Sequence, residues 1–524
     1  MRRITRRRAL AEALRGSAAL PLAAALPLSA GLAACDLTAT STPTSENDSK
    51  NQSHFGSTVR GTWGDPVGDG QLRPGPGEPL VHRTELGRRA ALGHPLASLA
   101  HVTDAHVLDA SSPARVTFLD RLGPPFQSTF RPQEALTAQV LAGTVAAIRA
   151  LRPQAVIQGG DLIDNAQSNE LAHALAILRG GRVQPGSGRD GYFGVQLASD
   201  SDPFYYRPDV DSPRHPGLLR RASRPFTSPG VTGRPVLPVL GDHDALVAGE
   251  LVPSELTRSL AVGSRALWDL PAGLSLPPGA RSDLLASPDG PPAPALVDEL
   301  LTKALEGPTV GVPADPSRRQ LQFAEVQSRL SALAPATVPR TAERLDYAIE
   351  VGPQVRVIVL DLVRRGGGSG GQVVGGQAAW LASELARSGR RWVVVVSHQP
   401  LDSSAGGEPL LALLDRAPRV VAVLSGHTHR NQIRARATSA GGYWLISTAS
   451  LIDFPQQARA VRIVATTGGG VAIQTWMLDH VSGGDLGSIA RQLSYLDAQG
   501  GRPRGFAGSP ADRNAILYRR PSRS

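Results

Sequence analysis

The sequence predicts an α/β fold, a layered α/β or αββα core carrying two large insertions. Three observations support that expectation. Short apolar segments of strand length alternate with helix-period segments from residue 98 to residue 430. Hydrophobic residues make up 41% of 524 residues, which is enough for a large core and excludes a chain disordered throughout. Strand after strand also runs directly into Gly, Asp or His, as expected of the loops where ligand sites gather in open α/β sheets.

In chain order, Ser98–Thr103 is an apolar strand running into Asp104. Pro132 opens a helix-period segment that reaches Arg152, proline being well placed in a first helical turn. Ala155–Gln158 is a second strand, ending in Gly159-Gly160-Asp161. Val236–Leu240 ends in Gly241-Asp242, and Gln354–Leu360 ends at Asp361. A helix over Gln377–Arg387 leads to the strand Trp392–Val396 and Ser397-His398, and Val420–Leu424 ends in Ser425-Gly426-His427. Alternating strands then follow at Tyr443–Ser447, Ala460–Ala465 and Val471–Trp476.

Residues 166–233 and 246–340 break this rhythm. They are rich in Pro, Gly, Ser and Arg, with helical fragments at Ala295–Leu305 and Leu321–Leu333, and read as insertions in one domain spanning 95–480. Residues 481–524 read as a final helix, Leu486–Leu496, and a basic tail.

The net charge of +10 is concentrated at the ends. Residues 1–35 hold six Arg and one Glu, residues 501–524 hold six Arg and one Asp, and the 465 residues between them are neutral overall. Composition therefore gives no support to a basic groove, and no nucleic-acid partner is expected. Cys35 is the sole cysteine, which excludes an internal disulfide and any thiolate metal cluster.

Arg6-Arg7 ahead of the apolar stretch Ala18–Ala34 resembles a twin-arginine export signal. Leu32-Ala33-Ala34-Cys35 resembles a bacterial lipobox, and residues 36–57 have the polar composition of a flexible tether. The expectation is an exported protein, lipid-anchored through Cys35 on the outer face of the cytoplasmic membrane.

The strand ends, read alone, give Asp104-Ala105-His106, Gly160-Asp161, Gly241-Asp242-His243-Asp244, Ser397-His398 and Gly426-His427-Thr428-His429. Mixed carboxylate and imidazole donors without thiolate suit Mn²⁺, Fe or Zn²⁺ better than Ca²⁺ or a structural zinc. Each piece alone has a plain alternative: Asp104, Asp161 and Asp242 as helix caps, His398 as a buried bonded histidine, His427 and His429 as same-face strand residues. Five pieces, each at a strand end and together able to build one site, outweigh those readings.

In this order the pieces resemble the calcineurin-like metallophosphoesterase superfamily, whose pattern is D-x-H, G-D-x-x-[D/x], G-N-H-[D/E], a lone H, then G-H-x-H. The resemblance spans residues 98–450. Asp164-Asn165-Ala166-Gln167 and Asp453-Phe454-Pro455-Gln456-Gln457 make it closer to exported bacterial members with long insertions. It implies a four-layer αββα metallophosphoesterase core with two divalent or trivalent ions (Mn, Fe or Zn). Asp104, His106 and His429 would hold the first ion, Asp242, His398 and His427 the second, with Asp161 bridging. His243 is implied as the non-ligand catalyst, with Asp244 orienting it. The implied reaction is hydrolysis of a small-molecule phosphomonoester or phosphodiester by metal-activated water.

Three departures stand out. Position 242 is Asp where the family has Asn, which adds a negative charge. Purple acid phosphatases place Tyr three residues after the bridging Asp, and here that residue is Asp164. Protein Ser/Thr phosphatases continue with Asp-Arg-Gly, and here Asn165-Ala166 follow. The Asp242 departure keeps an alternative open, a weak or inactive surface-binding lipoprotein that retains the fold. Tyr205, Tyr206 and Trp444 are cleft or packing residues. The glycine-rich stretch Gly366–Gly371 lacks a Walker lysine and reads as a flexible loop, with Arg364 and Arg365 at its edge.

Overall fold

The computed structural model describes residues 56–122, 129–197, 199, 204–272, 289–338, 343–481, 484–499 and 506–521. Residues 1–55 lie outside the described residues, and with them the expected export signal, Cys35 and most of the expected tether.

The expected strands assemble into two sheets. One has seven strands in the order Val81–Leu86, Ala515–Arg519, Val471–Asp479, Gln457–Thr466, Leu92–Val102, Ala155–Gly159 and Val236–Val239. The other has six, in the order Tyr347–Glu350, Val355–Leu360, Trp392–Ser397, Val420–Ser425, Tyr443–Ser447 and Gln432–Arg436. The four middle strands of the second sheet run parallel.

These parallel strands are apolar at nearly every position because both of their faces are covered. Along the strand Val355–Leu360, Val355, Val357 and Val359 enter the core between the sheets, while Ile358 and Leu360 pack against Leu381, Leu410 and Leu414. Those leucines belong to the helices Gln377–Arg387 and Gly407–Arg416, which form one outer layer. On the other side Thr137–Leu151 lies against the strands Gln457–Thr466 and Val471–Asp479, flanked by the helices Ser168–Arg179 and Asp485–Gln499. The architecture is therefore αββα. The stretch Glu134–Leu151 is apolar and long enough to cross a membrane, but here it is a buried layer of the core.

Several expectations about organisation need correction. The domain does not stop at 95 and 480. Val81–Leu86 and Ala515–Arg519 pair with each other at the edge of the seven-stranded sheet, and Ala515–Tyr518 are buried. The Arg-rich composition of the tail hid that apolar run; Arg513 is paired with Glu78, and the Arg519 guanidinium donates to backbone carbonyls. The first stretch expected as an insertion begins inside the core, because Leu171, Ala174, Ile177 and Leu178 of the helix Ser168–Arg179 pack in the main cluster.

The glycine-rich stretch is a packed connection instead of a free loop: Gly367, Gly368 and Gly371 are buried, and the Gly368 and Gly370 amides donate to Glu250 O and Asp289 O. Trp444 is core, Tyr205 packs with Phe130 and Val195, and Arg365 pairs with Asp361 while stacking on Phe323.

Candidate metal centre

The parallel strands of both sheets end at one rim, and their loops are stitched together there. The amides of Asp104, His106 and Val107 donate to the carbonyls of Gly160, Asp161 and Leu162 at 2.9–3.0 Å. Asp104 carboxylate oxygens accept the amide of His427 at 3.1 and 3.2 Å, which ties the first sheet's loop to the second's. Asp104, His106, Asp161, His427 and His429 all adopt positive φ, between 42° and 63°. Left-handed backbone at non-glycine residues costs about 1–3 kcal/mol each and clusters at functional sites. Close approach also constrains Gly241, where a Cβ would lie 2.1 Å from Asp161 Oδ1.

The structure brings all seven predicted ligand residues together in two clusters. Asp161, Asp242, His398 and His427 form one, and Asp104, His106 and His429 the other, the donor atoms within each lying within 4.8 Å of one another. Asp161 stands between them. Its Oδ1 accepts the His243 amide at 2.9 Å, which turns Oδ2 to 3.1 Å from His398 Nε2 and 3.8 Å from His106 Nε2. Asp242 Oδ1 is 3.2 Å from His398 Nε2 and 3.3 Å from His427 Nδ1. Asp104 Oδ1 is 3.3 Å from His429 Nε2.

The ring nitrogens show whether cations fit. His398 pairs Nδ1 with Gly159 O at 2.9 Å, which leaves Nε2 buried among carboxylate oxygens with no hydrogen-bond partner among the described residues. His106 pairs Nδ1 with Asp164 Oδ1 at 2.9 Å, and His429 pairs Nδ1 with Asp453 Oδ2 at 2.6 Å. Their Nε2 atoms then face each other at 3.3 Å. Imidazoles anchored at one nitrogen and aimed with the other at shared carboxylates are the arrangement of metal ligands held by outer partners. The two clusters fit two metal ions.

The charge balance agrees. Burial opposes ionisation of His429, yet Asp104 and Asp453 raise it to about 9. Burial likewise opposes a charged His398, but Asp161 and Asp104 hold it well above the ordinary range. Burial and the neighbouring His243 charge lower His106. Asp242 stays well below the usual carboxylate range against its burial, through His427 and His398. Protons held on imidazoles by a carboxylate cluster are the positions that cations displace on binding.

His243 lies beside the clusters, edge-on to His106 with ring centroids 4.4 Å apart, and partly exposed. Its Nδ1 is 2.9 Å from Asp164 O and 3.3 Å from Asp164 Oδ1, and its Nε2 is 4.0 Å from Asp242 Oδ2. Burial opposes its charge, while Asp161, Asp164 and Asp242 raise it to about 10.

The expectation that Asp244 orients His243 is corrected by this geometry. Asp244 accepts the amides of Leu162, Ile163 and Gly241 at 2.9, 3.2 and 3.0 Å and so locks the loop after Asp161 to the turn Asp242–Ala245. Burial and the Asp161 charge push Asp244 up to about 7. The carboxylate beside His243 is Asp164, which sequence reasoning placed in the motif without a role. Asp453, seen in the sequence only as a mark of resemblance, is the partner of His429.

Residues 352–431 match the family model described as calcineurin-like phosphoesterase, a segment that carries His398, His427 and His429. Over that segment the chain is similar to calcineurin-like phosphoesterases. No curated protein matches it. Solved structures similar to it include a dimetal phosphatase from Danio rerio, at 14% identity over 74% of this chain and 100% of that one, with a TM-score of 0.35. A purple acid phosphatase from yellow lupin (Lupinus luteus) seeds is 10% identical over 74% and 54%, with a TM-score of 0.32. PhoD is 10% identical over 82% and 80%, with a TM-score of 0.30.

Proposed function

We propose that this phosphoesterase is a dinuclear-metal-dependent hydrolase that cleaves a phosphomonoester or phosphodiester outside the cytoplasmic membrane. The observation that carries this reading is the set of three imidazoles, His106, His398 and His429. Each is anchored at Nδ1 and presents Nε2 to the carboxylates around Asp161. Asp104, His106 and His429 would hold one ion, and Asp242, His398 and His427 the other, with Asp161 between. When bound, such a pair polarises a phosphoryl oxygen and makes water a nucleophile at neutral pH.

The chain's own groups supply the rest. His243 carries its proton beside the clusters on a partly exposed ring, where Nε2 can donate to a phosphoryl oxygen or to the leaving ester oxygen. Asp164, which is not among the proposed ligands, is the carboxylate left to support that proton once the others are engaged. It also accepts from His106, so one side chain aligns a ligand and the proton donor together.

Export and anchoring are supported by the arginines before the apolar stretch and by Leu32-Ala33-Ala34-Cys35. Cys35→Ala should release the protein from the membrane fraction; unchanged partitioning would contradict the anchor.

Hydrolysis of p-nitrophenyl phosphate and bis(p-nitrophenyl) phosphate, assayed with Mn²⁺, Fe²⁺ and Zn²⁺, tests the activity. Turnover that a chelator abolishes and Asp161→Asn removes is expected. A chain that holds two ions and hydrolyses neither these esters nor a wider phosphoester panel would support the surface-binding alternative.

A further inference from the structure

We infer that Gln399 is a positioning residue for Asp242, selecting which of its two oxygens faces the second metal cluster. The inference rests on the metal reading above.

Gln399 follows His398 and is buried. Its Nε2 donates to Asp242 Oδ1 and to the carbonyl of Ser369, each at 3.0 Å. Both partners are acceptors only, so the orientation of the amide is fixed and both of its N–H bonds are used. The Asp242 oxygen that receives this bond is the one facing His398 Nε2 at 3.2 Å and His427 Nδ1 at 3.3 Å. Oδ2 is left turned toward His243.

The need for such a bond follows from the residue at position 242. A carboxamide offers one oxygen to a metal, so its chemistry decides its orientation. A carboxylate offers two equivalent oxygens and an extra charge. The Gln399 amide breaks that equivalence, and a hydrogen bond to an ionised acceptor partly offsets the charge.

The amide is itself braced. Ser369 lies in the glycine-rich connection, where its own amide donates to Glu250 Oε2 at 3.2 Å. A Cβ at Gly371 would lie 2.8 Å from Gln399 Cβ and 2.1 Å from Ser404 Oγ, so only glycine lets the connection sit this close. Gln399 Oε1 is buried with no hydrogen-bond partner among the described residues.

The test is a titration of the metal-stripped full chain with Mn²⁺ and Zn²⁺ by calorimetry, with bound ions counted by elemental analysis and folding checked by thermal melting. The proteins compared are the parent, Gln399→Met, Asp242→Asn and the double variant. The parent should bind two ions. Gln399→Met should leave one affinity unchanged and weaken the other by roughly 10- to 100-fold, the usual effect of removing a ligand's outer partner. In the Asp242→Asn background the same change should have little effect, because the second oxygen is gone.

If Gln399→Met fails to fold, Gln399→Glu keeps the shape but sets a carboxylate against Asp242, and should weaken the same ion. Unchanged affinities in Gln399→Met, or an equal loss in both backgrounds, would overturn the inference. Fewer than two ions in the parent protein would instead overturn the metal reading, and this inference with it.

Discussion

His429 Nδ1 donates to Asp453 Oδ2 across 2.6 Å, and Asp453 Oδ1 accepts from Arg131 Nε at 2.7 Å. A guanidinium, a carboxylate and an imidazole thus stand in line behind the atom that faces Asp104. All three are mostly buried, and Asp453 remains well below the usual carboxylate range against its burial, held there by Arg131 and His429. The line fixes the ring orientation and the tautomer that leaves Nε2 free for a metal.

Asp453→Asn therefore weakens metal binding by roughly 10- to 100-fold while Asp104, His106 and His429 all remain in place. Metal titration of the purified variant checks this; parent-like affinity would mean the line is only a packing contact.

His243→Gln should lower kcat by roughly 10²- to 10⁴-fold, the range for a positioned proton donor, with bound metal unchanged. Asp164→Asn should lower both, because Asp164 serves His243 and His106 together. A His243→Gln protein with parental turnover and two ions would remove His243 from the chemistry.

Asp244→Asn should behave differently from either. The carboxylate receives three backbone amides, and a carboxamide leaves at least one of them unpaired, at about 1–3 kcal/mol of stability. The expected result is a lower melting temperature with kcat per folded molecule preserved. A large loss of kcat at parental stability would restore the catalytic role that the sequence implied for it.

Acid should destabilise the fold through buried histidines outside the proposed ligand set. His101 is fully buried with Nδ1 2.9 Å from Thr448 Oγ1, and burial, reinforced by Arg459, lowers it to about 3. His480 is lowered well below its ordinary value, also mainly by burial. The unfolded chain binds these protons near pH 6.5 and the folded chain does not, so stability falls as pH drops below 6.5, for His101 down toward 3. Each histidine contributes about 1.4 kcal/mol per pH unit to that fall. His101→Gln should be less stable at pH 7, with the gap from the parent closing below pH 6.5 in denaturant titrations. Parallel stability curves would contradict the assignment.

The sequence displays what is buried on both faces or repeated at strand ends. Val393–Val396 and Val420–Leu424 read as strands because covered parallel strands are continuously apolar. The ligand residues read as a site because each ends such a run. Edge strands did not show themselves: Val81–Leu86 and Gln432–Arg436 are half polar because one side faces water, and Ala515–Arg519 was masked by neighbouring arginines. The outer partners were illegible for a different reason. Arg131 and Asp453 are 322 residues apart, and nothing local in the chain marks Gln399 as the partner of Asp242, 157 residues before it. Asp244 misled because adjacency in sequence stood in for contact, whereas the turn Asp242–Ala245 points it at backbone amides.

The most direct test of the account is the metal content of the purified full chain, measured by elemental analysis after loosely bound ions are removed. Two ions per chain are expected, falling to one or none in Asp161→Asn. One ion or none in the parent protein, not restored by Mn²⁺, Fe²⁺ or Zn²⁺, would contradict it.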